Sequence, residues 1–130
     1  MSHPDHLHTP LKDARGLGPS GHGVSHWIAE RASAIFLIPL TVFFLASIVA
    51  HAGADYPTMI AYLAHPVVTV TMIFLVVTAL YHMTLGLGVI IEDYIGKTGT
   101  RIFLKLVVNF LAVFVGLASV LALLRISFTS

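Results

Sequence analysis

Cysteine is absent from the 130-residue sequence, and charged side chains are scarce, at 10% of residues. Without cysteine, the chain can form no disulfide, supply no thiolate to an iron–sulfur cluster and use no thiolate nucleophile. Soluble domains carry about 25% charged residues, whereas 57% of this sequence is hydrophobic. The formal net charge of +1 is too small to indicate nucleic-acid binding. These features predict an integral membrane protein.

Three long apolar segments are the main feature of the sequence. No Lys, Arg, Asp or Glu stands between Arg31 and Asp55, and the run from Ala32 to Ala50 is about 29 Å long at ~1.5 Å per residue. This length matches a hydrocarbon core of about 30 Å. The sequence therefore predicts an all-α fold, an integral membrane bundle of three transmembrane helices at about 25–50, 66–92 and 102–125, with residues 51–65 as a connection.

Residues 1–24 are polar and contain His3, His6 and His8. These histidines could bind a metal weakly, but a solvated tail is the preferred interpretation because segments of this composition rarely order. Residues 25–130 would then form the membrane anchor.

The basic residues predict how the bundle is oriented. Six of the seven lie on one side of the predicted membrane, and only Arg125 lies on the other. The positive-inside rule therefore places the N-terminus and the loop after the second helix in the cytoplasm. The six residues are Lys12, Arg15, Arg31, Lys97, Arg101 and Lys105.

One histidine, His82, lies inside the second apolar segment, where an ionisable side chain is costly and usually functional. An apolar environment favours the neutral imidazole, which is the form that binds metals. Gly86, one helical turn later, leaves that face without a side chain, so a flat macrocycle could lie against it. His82 is therefore either an axial ligand of a haem iron or a histidine hydrogen-bonded to a neighbouring helix. Since His51 and His65 lie at the opposite membrane face, a second axial ligand would come from another chain.

Three further candidates lie at the predicted cytoplasmic face. Arg31 either extends to lipid headgroups or pairs with a carboxylate or haem propionate. Tyr94 is about 18 Å beyond His82 along an ideal helix. Its phenol is either an interfacial anchor or a hydrogen-bond donor to a quinone oxygen. Asp93 would orient that phenol or relay protons, unless it is simply a solvated acid at the helix end.

The pattern His82-x3-Gly86 followed by Asp93-Tyr94 resembles the second helix of the hydrophobic membrane anchor subunits of succinate dehydrogenase, the succinate:quinone oxidoreductase of respiratory complex II. The preceding stretch, with Gly16-Leu17-Gly18, Ser25-His26-Trp27 and Arg31-Ala32-Ser33, is similar to that family's entry to the first helix. The resemblance extends from Leu17 to Arg125.

This resemblance implies a four-subunit complex of the respiratory chain and tricarboxylic acid cycle, in a bacterial cytoplasmic or mitochondrial inner membrane. A flavoprotein subunit would oxidise succinate, an iron–sulfur subunit would carry electrons, and two anchor chains would bind haem b and ubiquinone. His82 would be one axial ligand, and the second anchor, a cytochrome b556 subunit, would supply the other. Arg31 would meet a haem propionate, and Tyr94, with Asp93 adjacent, would hydrogen-bond ubiquinone. The chain itself would catalyse no step on succinate.

Two alternatives stay open. The chain could anchor a quinol:fumarate reductase, which runs the same chemistry in reverse. It could also be a non-redox three-helix scaffold, in which His82 only joins two helices. A self-contained two-haem cytochrome is excluded, because the sequence has too few histidines at membrane depth. Whether Ser25, His26 or neither of them lines the haem edge also stays open.

Overall fold

A computed structural model describes Leu11 and residues 21–130, and the described chain is helical without a strand. Three of its helices are long and apolar enough to cross a membrane, with mean hydropathies of 2.4, 2.0 and 2.6. The predicted all-α architecture with three membrane-spanning helices is confirmed. The helices, in chain order, are α1 (Gly21–Ala50), α2 (Tyr56–Ala64), α3 (Pro66–Tyr94) and α4 (Thr98–Thr129).

The long helices begin or end a few residues beyond the predicted bounds. Helix α1 begins at Gly21, within the predicted tail, and α4 extends from Thr98 to Thr129. The apolar segments of the sequence indicate only the part of each helix that would cross the hydrocarbon core, and the helical backbone continues beyond them. The remainder of the predicted tail, residues 1–20, lies outside the described residues except for Leu11, and the proposed weak metal ligands His3, His6 and His8 lie outside them too.

Helix α2 occupies the segment predicted as a connection. Asp55 caps it, accepting a hydrogen bond on Oδ1 from the Thr58 backbone nitrogen at 3.1 Å, and Pro57 stands in its first turn, where proline is favoured. The hydrogen bonds from Thr58 lower the pKa of the Asp55 carboxyl below its ordinary value, because they stabilise the ionised form. Gly53, with φ of +83°, makes the turn that precedes this cap.

Helix α3 is the central helix. It packs against α1 on one side and α4 on the other, while α1 and α4 do not pack on each other in the described part of the chain. A Cβ added at Gly116 of α4 would lie 3.2 Å from Leu80 Cδ1, so α3 and α4 approach closely at this point. Phe36 and Phe74 join α1 to α3 in an edge-to-face pair, with ring centroids 6.1 Å apart.

The outer faces of the bundle are apolar. Val49 on α1 is 76% exposed and Phe110 on α4 is 71% exposed, and few side chains in the described residues are buried. In a membrane, such faces contact lipid tails or other membrane helices. Three helices packed side by side therefore leave large surfaces for partner chains.

A hydrogen-bonded cluster fastens α2 to the last turns of α1. Ser47, only 8% exposed, donates its hydroxyl proton to the Phe43 carbonyl at 2.7 Å. The Tyr62 hydroxyl, 2.5 Å from Ser47 Oγ, must then be the donor of that pair. The His51 ring stacks on Tyr62 with centroids 3.9 Å apart, and its Nδ1 donates to the Ser47 carbonyl at 2.9 Å.

Candidate functional site

His82 lies on α3 and points towards α1. Its Nδ1 lies 2.8 Å from the Oγ of Ser33, and Ser33 is only 6% exposed. The Ser33 hydroxyl in turn donates to the backbone carbonyl of Glu30 at 2.9 Å. One ring nitrogen is thus engaged with α1, and Nε2 is the nitrogen left for another partner.

The half-buried His82 ring lines a groove of about 410 Å³ on the α1 side of α3. Gly86 follows His82 by one helical turn, and a Cβ added to it would meet no atom within 4 Å. The space beside the predicted macrocycle-packing residue is therefore open. Apart from His82, the groove is lined by α1 residues that are almost all apolar, namely Ala34, Leu37, Ile38, Thr41 and Val42.

Arg31 lies two residues before Ser33 on α1, about 3 Å nearer the start of that helix. Its side chain is exposed, and it forms no ion pair with any described residue. The guanidinium carbon stands 5.8 Å from the centroid of the Trp27 ring, within range of a cation–π contact. Arg31 therefore carries a positive charge that no described carboxylate neutralises by an ion pair.

Asp93 and Tyr94 form the last turn of α3, on the same unbroken helix as His82. Tyr94 is 82% exposed, and neither side chain hydrogen-bonds to another described residue. At about 100° per residue, Asp93 lies some 20° and Tyr94 some 120° around the helix from His82. The structure therefore does not bring Tyr94 to the His82 groove; it places the two about 18 Å apart along one helix.

Two polar contacts at the Tyr94 end were not predicted from the sequence. Glu92 of α3 forms an ion pair with Lys105 of α4, and the Arg101 Nε donates to the Ile95 carbonyl. The ion pair is exposed, so it contributes at most about 1 kcal/mol. The ion pair joins α3 to α4, and the Arg101 hydrogen bond joins α4 to the loop residue that follows α3.

His26 faces a different cavity from His82. This cavity, of about 270 Å³, lies between α3 and α4 near the Glu92–Lys105 pair, and Asn109 is also in its lining. The groove beside His82 contains no contribution from His26. The position of His26 therefore does not support a contact between His26 and a haem bound at His82.

Ser33 is the residue of this site that sequence reasoning missed. A hydroxyl inside an apolar segment is a recognisable signal, because such groups tend to hydrogen-bond across helices in a membrane. The sequence alone could not show that α1 turns Ser33 towards His82, 49 positions away along the chain. Within residues 21–130, no three His, Asp or Glu side chains come together to hold a bare metal ion. A metal at His82 would therefore have to arrive with most of its own ligands.

The chain is similar to one family of membrane proteins and to several of its members. The family model for the transmembrane subunit of succinate dehydrogenase and fumarate reductase matches residues 5–118. The chain is 30% identical over 109 residues to the succinate dehydrogenase hydrophobic membrane anchor subunit of Rickettsia bellii, a match that covers 84% of this chain and 87% of that protein. It is 31% identical over 93 residues to the subunit of the same name from Paracoccus denitrificans, covering 72% and 71% of the two chains. The succinate dehydrogenase membrane anchor subunit of Reclinomonas americana is 27% identical over 94 residues, covering 70% and 78%.

Proposed function

The chain belongs to the family of transmembrane subunits of succinate dehydrogenase and fumarate reductase, and from this premise we propose that it helps bind haem b and ubiquinone while anchoring the enzyme's soluble subunits. His82 would supply one axial ligand, and Tyr94 would hydrogen-bond the quinone. The observation that supports this proposal is the His82 imidazole, which is hydrogen-bonded to Ser33 at Nδ1 and lines an apolar groove.

The donor set fits a haem better than a bare metal ion. A haem iron takes four nitrogens from its macrocycle and needs only axial ligands from protein. The single imidazole, the open space at Gly86 and the apolar wall of α1 suit that requirement. Arg31, which has no ion-pair partner among the described residues, would bind a propionate carboxylate. Bound between two imidazoles, the haem would store and pass single electrons and would have no open coordination position.

The second axial ligand is proposed to come from a partner chain. His51 is engaged with Ser47 and Tyr62 at the far end of α1, and His65 caps the start of α3, so neither can face His82 across one macrocycle. The apolar outer faces of α1 and α3 leave room for the helices of a second anchor subunit. The flavoprotein and iron–sulfur subunits would dock at one membrane face.

Quinone reduction needs a proton donor close to the iron–sulfur subunit, and Tyr94 suits that role. Its hydroxyl projects from the end of α3 without an internal partner, and Asp93 stands next to it as a carboxylate that could hand on protons. Four basic residues of the described chain lie at the same end of the bundle, namely Arg31, Lys97, Arg101 and Lys105. By the positive-inside rule, this end would face the cytoplasm or its mitochondrial equivalent.

The named relatives favour the succinate-oxidising direction. The family description covers both succinate dehydrogenase and fumarate reductase, but the curated relatives described above are succinate dehydrogenase subunits. In a non-redox scaffold, His82 would have no role beyond its hydrogen bond to Ser33. The visible absorption spectrum of the complex distinguishes this scaffold from a haem-binding anchor.

The test is a dithionite-reduced minus oxidised spectrum of the purified complex, recorded for wild type, His82→Ala and His26→Ala. We expect the b-type α-band to be lost or shifted in His82→Ala, because the iron loses one axial ligand. His26→Ala is the matched control, since His26 lies on the α4 side of α3, and it should keep the wild-type band. An unchanged band in His82→Ala would show that His82 is not a haem ligand.

A further inference from the structure

We propose that Ser33 is a positioning residue that holds His82 in its Nδ1–H tautomer and so presents Nε2, with a free lone pair, as the nitrogen that binds iron. The proposal rests on haem ligation by His82 and adds the group that prepares the ligand. It makes Ser33 an outer partner of the iron without contact to it.

The tautomer follows from counting protons along a three-membered chain. A serine hydroxyl has one proton, and a backbone carbonyl can only accept. Ser33 Oγ lies 2.9 Å from the Glu30 carbonyl and 2.8 Å from His82 Nδ1. With the hydroxyl proton directed to Glu30, the short contact to Nδ1 is favourable only when Nδ1 carries a proton and donates it. A neutral imidazole has one N–H, so Nε2 is unprotonated.

Burial makes this arrangement persistent. Ser33 is 6% exposed, so little water reaches Oγ to take the place of either partner. Hydrogen bonds in a chain polarise one another at low dielectric, and the Ser33–Glu30 bond therefore strengthens Oγ as an acceptor. A ligating histidine whose second nitrogen donates to an acceptor is oriented by it and becomes a stronger base towards the metal.

The bond also fixes the ring relative to the groove. Ser33 belongs to α1, which provides the groove wall from Ala34 to Val42, whereas His82 belongs to α3. The same helix that forms the wall thus holds the imidazole by its edge. A change in the α1–α3 interface would turn the ring, and a change on the α4 side would not.

The test compares Ser33→Ala, Ser33→Thr and Ser33→Cys in the assembled complex, with the midpoint potential of haem b and the electron paramagnetic resonance spectrum of the ferric haem as readouts. Loss of the acceptor makes the imidazole a weaker donor and disfavours the ferric state. For Ser33→Ala we expect the midpoint potential of haem b to rise by about 59 mV. For a one-electron couple, this corresponds to a tenfold change in the ratio of ferric to ferrous haem at a given potential. Ser33→Thr keeps the hydroxyl and should keep the wild-type potential and spectrum. Ser33→Cys, a weaker acceptor, should fall between them.

Ser47→Ala serves as the control, because Ser47 is also a buried serine on α1 but contacts Tyr62. It should leave the potential unchanged, which separates a loss of packing from a loss of positioning. A wild-type potential and spectrum in Ser33→Ala would overturn the role of Ser33. If Ser33→Ala fails to assemble, a wild-type haem potential in Ser33→Cys would overturn the role of Ser33 instead. Either result leaves the proposed haem ligation intact, since that fails only when His82→Ala keeps its haem band.

Discussion

Ser33 and Ser47 lie on the same face of α1, about 40° apart around the helix at ~100° per residue, and use their hydroxyls in the same way. Each donates to a carbonyl of its own helix. Each hydroxyl oxygen also lies within hydrogen-bond distance of a side chain on another helix, Ser33 of His82 and Ser47 of Tyr62. Both are buried. Hydrogen bonds of this kind supply helix association that the hydrophobic effect cannot provide in lipid. One face of α1 thus holds α3 at mid-helix and α2 at its end.

Removal of the Tyr62 hydroxyl should loosen α2 without removing its aromatic contact. Tyr62→Phe keeps the stack on His51 but leaves Ser47 Oγ without its donor. We expect a loss of about 0.6 kcal/mol in the free energy of unfolding and at most about 1.7 kcal/mol, the average and the maximum for hydrogen bonds between membrane helices. Thermal denaturation of the purified complex measures it. Tyr56→Phe is the control, because Tyr56 is 78% exposed; an equal loss in both variants would contradict the role of the Ser47 bond.

The Asp55 cap should make the first turn of α2 sensitive to acid. The hydrogen bonds from Thr58 lower the pKa of Asp55 below 3.8 in the folded chain. The cap's stabilisation is therefore fully present above about pH 3.8 and is lost as the pH falls through the lowered folded value. Hydrogen-exchange protection of the Thr58 amide should fall over that interval in the wild type. Asp55→Asn should retain protection without the pH dependence, and Asp55→Ala should lose it at every pH. Pronounced acid sensitivity in Asp55→Asn would show that another group is responsible.

A large side chain at Gly86 should exclude haem without unfolding the helix. A Cβ there meets no atom within 4 Å, so the first side-chain carbon of Gly86→Leu has room in this chain. The substitution also improves helix propensity by about 0.8 kcal/mol. We expect an assembled anchor with several-fold less haem per complex, measured by the pyridine haemochrome spectrum. Gly88→Leu is the matched control, because Gly88 is equally open but lines the cavity on the α4 side. Equal haem content in the two variants would place the macrocycle elsewhere.

The sequence predicts the three spans and the central position of His82 because both depend on local properties. A long run of apolar residues predicts a membrane-spanning helix, and a single ionisable side chain within such a run is easy to identify. Helix α2 is harder to predict, because nine residues are too few to show a clear hydrophobic periodicity. Its helical conformation also depends on the Asp55 cap and on the hydrogen bond of Tyr62. The Ser33–His82 contact depends on which faces of α1 and α3 meet. That information resides in the packing of two helices and cannot be read from either one.

Tyr94 tests the quinone half of the proposal separately from the haem half. The Tyr94 hydroxyl is exposed and has no partner among the described residues, so Tyr94→Phe should leave the fold, the haem spectrum and succinate oxidation by a soluble dye unchanged. Loss of one hydrogen bond to a quinone oxygen costs up to about 1.5 kcal/mol, so ubiquinone reduction should fall about tenfold in kcat/KM. Tyr56→Phe, at the opposite end of the bundle, should reduce ubiquinone at the wild-type rate. Asp93→Asn should lower the rate as well, because the amide keeps the shape but cannot carry a proton. A wild-type ubiquinone rate in Tyr94→Phe would restrict this residue to anchoring the helix end at the membrane interface, and the quinone site would then belong to the partner chains.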